Sequence, residues 1–214
     1  MAELTNSSTS LRVDGLHVWR GESHVLRGIS FELHAGICLQ IRGANGTGKT
    51  TLLRTLCGLI EPEEGTIRWG QDDARRARDP FHAQLFYLPH AVPLKPDLTG
   101  RENLEFTVGL RRSTSRMELD SALERVGARH FAGQLARTLS AGQCRRLGLA
   151  MLVLAGATLW VLDEPTTSLD AQGQTLIGEL LTAHVEQGGM ALAAVHQALA
   201  VPAARLSHLT LGVS

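Results

Sequence analysis

The pattern from Leu11 to Val18 is strand-like, and Val25 to Leu33 alternates, with Ile29, Phe31 and Leu33 on one face. Strict alternation predicts strands with one buried face. Gly36 then punctuates, and Ile37–Ile41 is a short apolar run that ends at a glycine-rich loop. Lys49–Leu59 changes to helical spacing, with Leu52, Leu53 and Leu56 on one side. Gly65–Trp69 and Leu85–Leu88 predict two more strands, and Pro89, Pro93 and Pro96 mark a loop. Arg101–Leu110 and Met117–Val126 read as helices with arginine-rich surfaces, and a further helix opens near Ser140. Thr158–Leu162 and Met190–Val195 are apolar runs of strand length, separated by a helix over 171–187 that Gly188-Gly189 stops. A last strand lies near Leu206–Leu211, and residues 1–10 read as a frayed tail. Strands that return after a helix-rich middle predict an α/β core carrying a helical insertion.

Composition narrows the class. Of 214 residues, 43% are hydrophobic, and 21 Lys+Arg balance 21 Asp+Glu. That excludes disorder for most of the chain, and with no basic excess to neutralise phosphates it argues against a nucleic-acid partner. Cys38, Cys57 and Cys144 cannot all pair and show no CxxC spacing, which argues against a disulfide scaffold and for a reducing compartment. The polar N-terminus has no apolar export segment. Leu147–Leu162, the longest apolar stretch, is too short and interrupted to span a membrane.

The chemistry is concentrated in the loops. Gly43-Ala44-Asn45-Gly46-Thr47-Gly48-Lys49-Thr50 fits G-x-x-x-x-G-K-[ST], with a strand before it and a helix after it. Glycines allow close backbone approach to an anion, and successive N–H groups with the helix start supply positive potential. Lys49 is assigned to the β- and γ-phosphates of a nucleotide, Thr50 to Mg²⁺, and Thr51 to further phosphate contact. A glycine-rich turn that binds nothing is the alternative. Thr158–Leu162 delivers Asp163 and Glu164 to a strand's C-terminal end, where ligands bind in parallel sheets. By itself an apolar strand ending in two carboxylates is ambiguous. Beside the loop it is specific, because one Mg²⁺ needs both: Asp163 for the ion and Glu164 to polarise the attacking water.

Leu139-Ser140-Ala141-Gly142-Gln143 resembles the signature motif of ABC-type ATPases, Ser168-Leu169-Asp170 resembles their D-loop, and His196 falls at their switch histidine. The resemblance covers nearly the whole chain. It implies an α/β P-loop NTPase with a RecA-like core over about 11–88 and 158–214. An N-terminal antiparallel β-subdomain and a helical subdomain inserted over about 89–157 complete it. It implies ATP and Mg²⁺ as ligands and a homodimer closed through the ATP sites. In that dimer Ser140, Ala141, Gly142 and Gln143 face the nucleotide held by the opposite subunit. It gives catalytic roles to Lys49, Glu164 and His196. His90 stands where the family usually has the Q-loop glutamine, and a plain loop histidine is the alternative. Trp19, with Arg20 beside it, is the candidate for stacking on adenine. Arg145 and Arg146 are candidates for contact with the dimer partner.

Thr158–Pro165, Glu186–Met190, His196-Gln197 and Leu139–Arg146 resemble the ATPase subunits of the bacterial cytochrome c maturation system, which also carry histidine at the Q-loop position. Pro89-His90-Ala91 departs from their usual Gly-His-Gln, and Met151 replaces a common arginine. The resemblance implies a separate ATPase subunit, peripheral at the cytoplasmic face of the inner membrane and bound to integral membrane subunits. Hydrolysis would serve haem export or release of haem from its chaperone, with no haem bound by this chain. An ABC transporter for another cargo is the alternative.

Overall fold

The computed structural model describes residues 10–212, so the N-terminal tail expected over 1–10 falls almost wholly outside the described residues. Two sheets organise the chain. β1 (Ser10–Arg20), β2 (Ser23–His34), β4 (Glu64–Trp69) and β5 (Asp72–Asp73) form an antiparallel sheet in the order β2-β1-β4-β5. β3 (Cys38–Arg42), β6 (Leu85–Leu88), β7 (Leu159–Asp163), β8 (Met190–Ala194) and β9 (Leu206–Thr210) form a parallel sheet in the order β6-β7-β8-β3-β9. This is the α/β P-loop NTPase architecture.

The parallel strands read as unbroken apolar runs because both of their faces are covered. On β7, Leu159 and Val161 join one core, and Trp160 and Leu162 join the other. On β8, Met190, Leu192 and Ala194 alternate with Ala191 and Ala193 in the same way. The first core is closed by Leu52, Leu53 and Leu56 of α1 (Lys49–Leu56) and by the antiparallel sheet. The second is closed by α5 (Ala141–Leu154), α6 (Ala171–Glu186) and the helices that precede α5.

Those helices, α3 (Gly100–Gly109) and α4 (Arg116–Arg125), lie between β6 and β7. Each starts with a reciprocal capping box, Thr99 with Glu102 and Ser115 with Glu118, which fixes where it begins. The antiparallel register slips between Leu16 and Val18, so Leu26 is buried out of phase with Leu33.

One expectation changes. The helix predicted to reach Leu59 ends at Leu56, because Gly58 turns left-handed at φ 69°. Leu59 N–H then donates to Arg54 C=O and Gly58 N–H to Thr55 C=O, a Schellman closure that projects Leu59 outward. The charged stretch around Arg75, Arg76 and Arg78 carries two short elements. Asp72–Asp73 pairs with β4, and α2 (Arg78–Gln84) is anchored by the buried Phe81.

Candidate functional site

Residues 43–48 join the C-terminal end of β3 to the start of α1. Gly48 caps α1 at φ 93°, and a Cβ there would lie 2.8 Å from Leu26 and 2.9 Å from Val25, so only glycine fits. The first turn of α1 holds no acidic residue, which leaves its positive end for an anion. Lys49 is buried, and its ammonium donates to the carbonyls of Gly43 at 2.8 Å and Ala44 at 3.0 Å. Thr47 Oγ1–H donates to Ala44 C=O, bracing the same turn.

β7 lies between β6 and β8, so its C-terminal edge is reached from both sides. Asp163, the last residue of β7, is buried and accepts from Thr50 Oγ1–H at 3.1 Å and from the Tyr87 hydroxyl at 3.5 Å. Burial and the Asp163 charge push the Tyr87 phenol up to about 12. A hydroxyl and a carboxylate held together are hard oxygen donors of the kind Mg²⁺ takes. Glu164 follows in the left-handed region at φ 47°, a strained backbone for a residue with a side chain. Its carboxylate lies between two imidazoles: His196 Nε2–H donates to Oε1 at 2.7 Å, and His90 Nδ1 is 3.3 Å from Oε2. Burial pulls the Glu164 carboxyl up, but the His196 hydrogen bond and charge, the Thr167 hydroxyl and His90 outweigh it, and the net shift is downward. Glu164 is therefore ionised at neutral pH.

The serine segment forms a third element. Ser140 caps α5: its Oγ accepts from Gln143 N–H, and Gln143 Oε1 accepts from Ser140 N–H at 2.8 Å. The N–H groups of Ala141 and Gly142 belong to the first helical turn, which has no intrahelical acceptors. Gly142 meets the Ser168 carbonyl so closely that a Cβ would lie 2.7 Å from it. Ser168 is itself left-handed at φ 66°, Leu169 is buried, and Asp170 caps α6 through Gly173 N–H. Arg146 ties the two segments by donating to Asp170 Oδ1 at 3.1 Å.

Trp19 lies on the β1–β2 hairpin, its ring stacked on His24 at 3.7 Å with 8° between planes and on His17 at 5.8 Å, while Arg20 is exposed. One indole face is thus taken by His24. Arg145 and Arg146, expected to face a partner, both bond within the chain. Arg145 is buried and donates to the carbonyls of Pro89, His90 and Glu164. The signal for this was present: Arg145 shares the helical stripe of the buried Leu149 and Leu152.

A glycine-rich phosphate loop, an Asp-Glu pair on the adjoining strand edge and a serine-capped helix beside the Ser168 turn define an ATP-binding cassette. Residues 26–167 match the ABC transporter family, and the chain belongs to that family. Within it, the chain belongs with the cytochrome c biogenesis ATP-binding export proteins. It is 44% identical over 196 residues to the cytochrome c biogenesis ATP-binding export protein CcmA of Methylococcus capsulatus, covering 91% of this chain and 95% of that one. An ATP-binding ABC transporter protein of Pyrococcus furiosus superposes with a TM-score of 0.80 at 24% identity, covering 94% of this chain and 97% of that one. A bacterial Atm1-family ABC exporter with ATP bound gives a TM-score of 0.77 at 27% identity, covering 89% of this chain and 35% of that one. Among the described residues no helix is long and apolar enough to cross a membrane.

Proposed function

We propose that this chain hydrolyses ATP for a membrane complex of cytochrome c biogenesis, serving haem export or the release of haem from its chaperone. The observation that carries the reading is the Glu164 carboxylate, ionised and held on both oxygens beside the Thr50–Asp163 pair. Lys49 exchanges its loop carbonyls for the β- and γ-phosphates, and Thr50 and Asp163 would hold Mg²⁺. The ion, when bound, neutralises charge on the phosphate oxygens. Glu164 orients a water and accepts its proton, and His196 fixes the carboxylate's direction. Trp19 offers its remaining face to the adenine.

Ser140, Ala141, Gly142 and Gln143 supply a second anion-binding helix start, which in this reading closes over the nucleotide of a second copy. ATP then favours the closed pair through its extra contacts there, and hydrolysis removes that preference. The homodimer is peripheral at the cytoplasmic face of the inner membrane. A groove of about 370 Å³ between Cys57, Phe86, Pro89, Val92 and Leu110 suits an apolar segment of an integral membrane subunit, with Leu59 and Leu110 exposed at its rim. Haem stays with the membrane subunits and the chaperone.

The relatives' names carry the cargo assignment. The test is isolation of the native complex from membranes with haem spectra recorded on each component. Copurification with haem-handling membrane proteins supports the assignment; copurification with an unrelated transporter leaves the ATPase and removes the haem.

A further inference from the structure

Arg145 has no assigned task in the reaction, yet its surroundings are unusual. Its side chain is 2% exposed, and its guanidinium meets no carboxylate within ion-pair distance among the described residues. Burial lowers its pKa, against the pull of Asp163 and Glu164. A buried cation is tolerated only when its donors are satisfied. Here they are satisfied by three backbone carbonyls on two segments, Pro89-His90 after β6 and Glu164 after β7. Nη1–H donates to Pro89 at 2.8 Å, and Nη2–H donates to His90 at 2.7 Å and to Glu164 at 3.1 Å.

Each segment has its own business. Pro89 lines the apolar groove, and His90 places its ring against the Glu164 carboxylate. Glu164 itself has a strained backbone. That strain persists because its peptide groups are tied: N–H donates to Ala194 C=O at 3.0 Å, and C=O accepts from Thr167 N–H and from Arg145. Arg145 stands in the first turns of α5, the helix that Ser140 caps. One rigid fork therefore links the groove wall, the serine-capped helix and the main chain of the catalytic carboxylate.

We propose that Arg145 is a positioning residue for hydrolysis, setting the direction of Glu164 and His90 according to where the start of α5 and the groove wall stand. The inference rests on the assignment of Glu164 as the water-orienting group. An ammonium is a compact charge and cannot span these carbonyls, so lysine preserves the charge and loses the geometry.

The test compares Arg145→Lys and Arg145→Gln in the full-length chain by turnover, binding of a non-hydrolysable ATP analogue and thermal unfolding. The expected result is a folded Arg145→Lys protein with analogue affinity within twofold of the parent and kcat at least tenfold lower. Turnover within twofold of the parent in either folded variant overturns the proposal. So does a fall in kcat matched by an equal loss of analogue affinity. Failure of both variants to fold makes Arg145 structural and overturns it as well. Glu164→Gln is run alongside: if it turns over ATP normally, the assignment of Glu164 fails, and that failure is distinct from a null result at Arg145.

Discussion

The Nε2–H of His196 donates to Oε1 of Glu164 at 2.7 Å, and the two side chains come from the ends of adjacent strands, β8 and β7. His90 reaches the other oxygen from beyond β6, on the opposite side of β7. The strand order β6-β7-β8 is what allows a single carboxylate to be held from both flanks. Glu164→Gln keeps the shape and loses the basicity. We expect turnover to fall by about 10²–10⁴-fold, the usual worth of a positioned base, with ATP still bound. Steady-state phosphate release and analogue binding measure the two effects separately.

Removing His196 tests the electrostatics. Burial is the largest influence on Glu164 and acts upward, and His196 is the main counterweight. In His196→Ala the Glu164 carboxyl therefore titrates at a higher pH than in the parent, where it lies below its ordinary 4.5. Carbon-13 NMR of the carboxyl reads this directly, and an unchanged midpoint would refute the assigned contact. Turnover in the same variant falls by at least tenfold.

Lys49 is held by two loop carbonyls, a placement that keeps a cation over the turn before any phosphate arrives. A charge-assisted hydrogen bond contributes about 1.5–3 kcal/mol, which corresponds to roughly 10- to 150-fold in affinity. Lys49→Ala should weaken ATP binding by that range, measured by calorimetry. Because the lost contact is to phosphate, adenosine affinity should not change.

His184 gives a pH dependence of stability away from the nucleotide site. Its ring stacks on Trp160 at 3.8 Å, and its Nε2–H donates to the carbonyls of Thr158 and Met190. Burial lowers its pKa below the ordinary 6.5, with the two backbone bonds opposing. Above pH 6.5 the ring is neutral in both folded and unfolded chains, and its contribution is complete. As the pH falls below that value the unfolded chain binds the proton more readily, so stability declines. Urea unfolding between pH 7.5 and pH 5.5 should show a steeper acid loss for the parent than for His184→Gln; equal slopes would contradict the assignment.

Much of this architecture is legible in the residue pattern. β7 and β8 are continuous apolar runs because both faces of the parallel sheet are buried, and the phosphate loop is local in sequence, so spacing alone locates it. The capped starts at Thr99, Ser115 and Ser140 are likewise local, since each involves residues three apart. What escapes the pattern is nonlocal or too short to be periodic. α2 has one apolar anchor, Phe81, in seven residues. Arg145 looks like a surface charge until the stripe it shares with Leu149 and Leu152 is followed inward. The His24 ring against Trp19 depends on hairpin register, which slips at Val18.

We propose that ATP joins two copies of this chain, each contributing its Ser140 segment to the other's nucleotide. Light scattering on Glu164→Gln measures this most directly. With saturating Mg-ATP the mass should rise from one chain to two, remain at one chain with ADP, and fail to rise when Ser140 is also replaced by arginine. A single-chain mass for Glu164→Gln at saturating Mg-ATP would contradict the account.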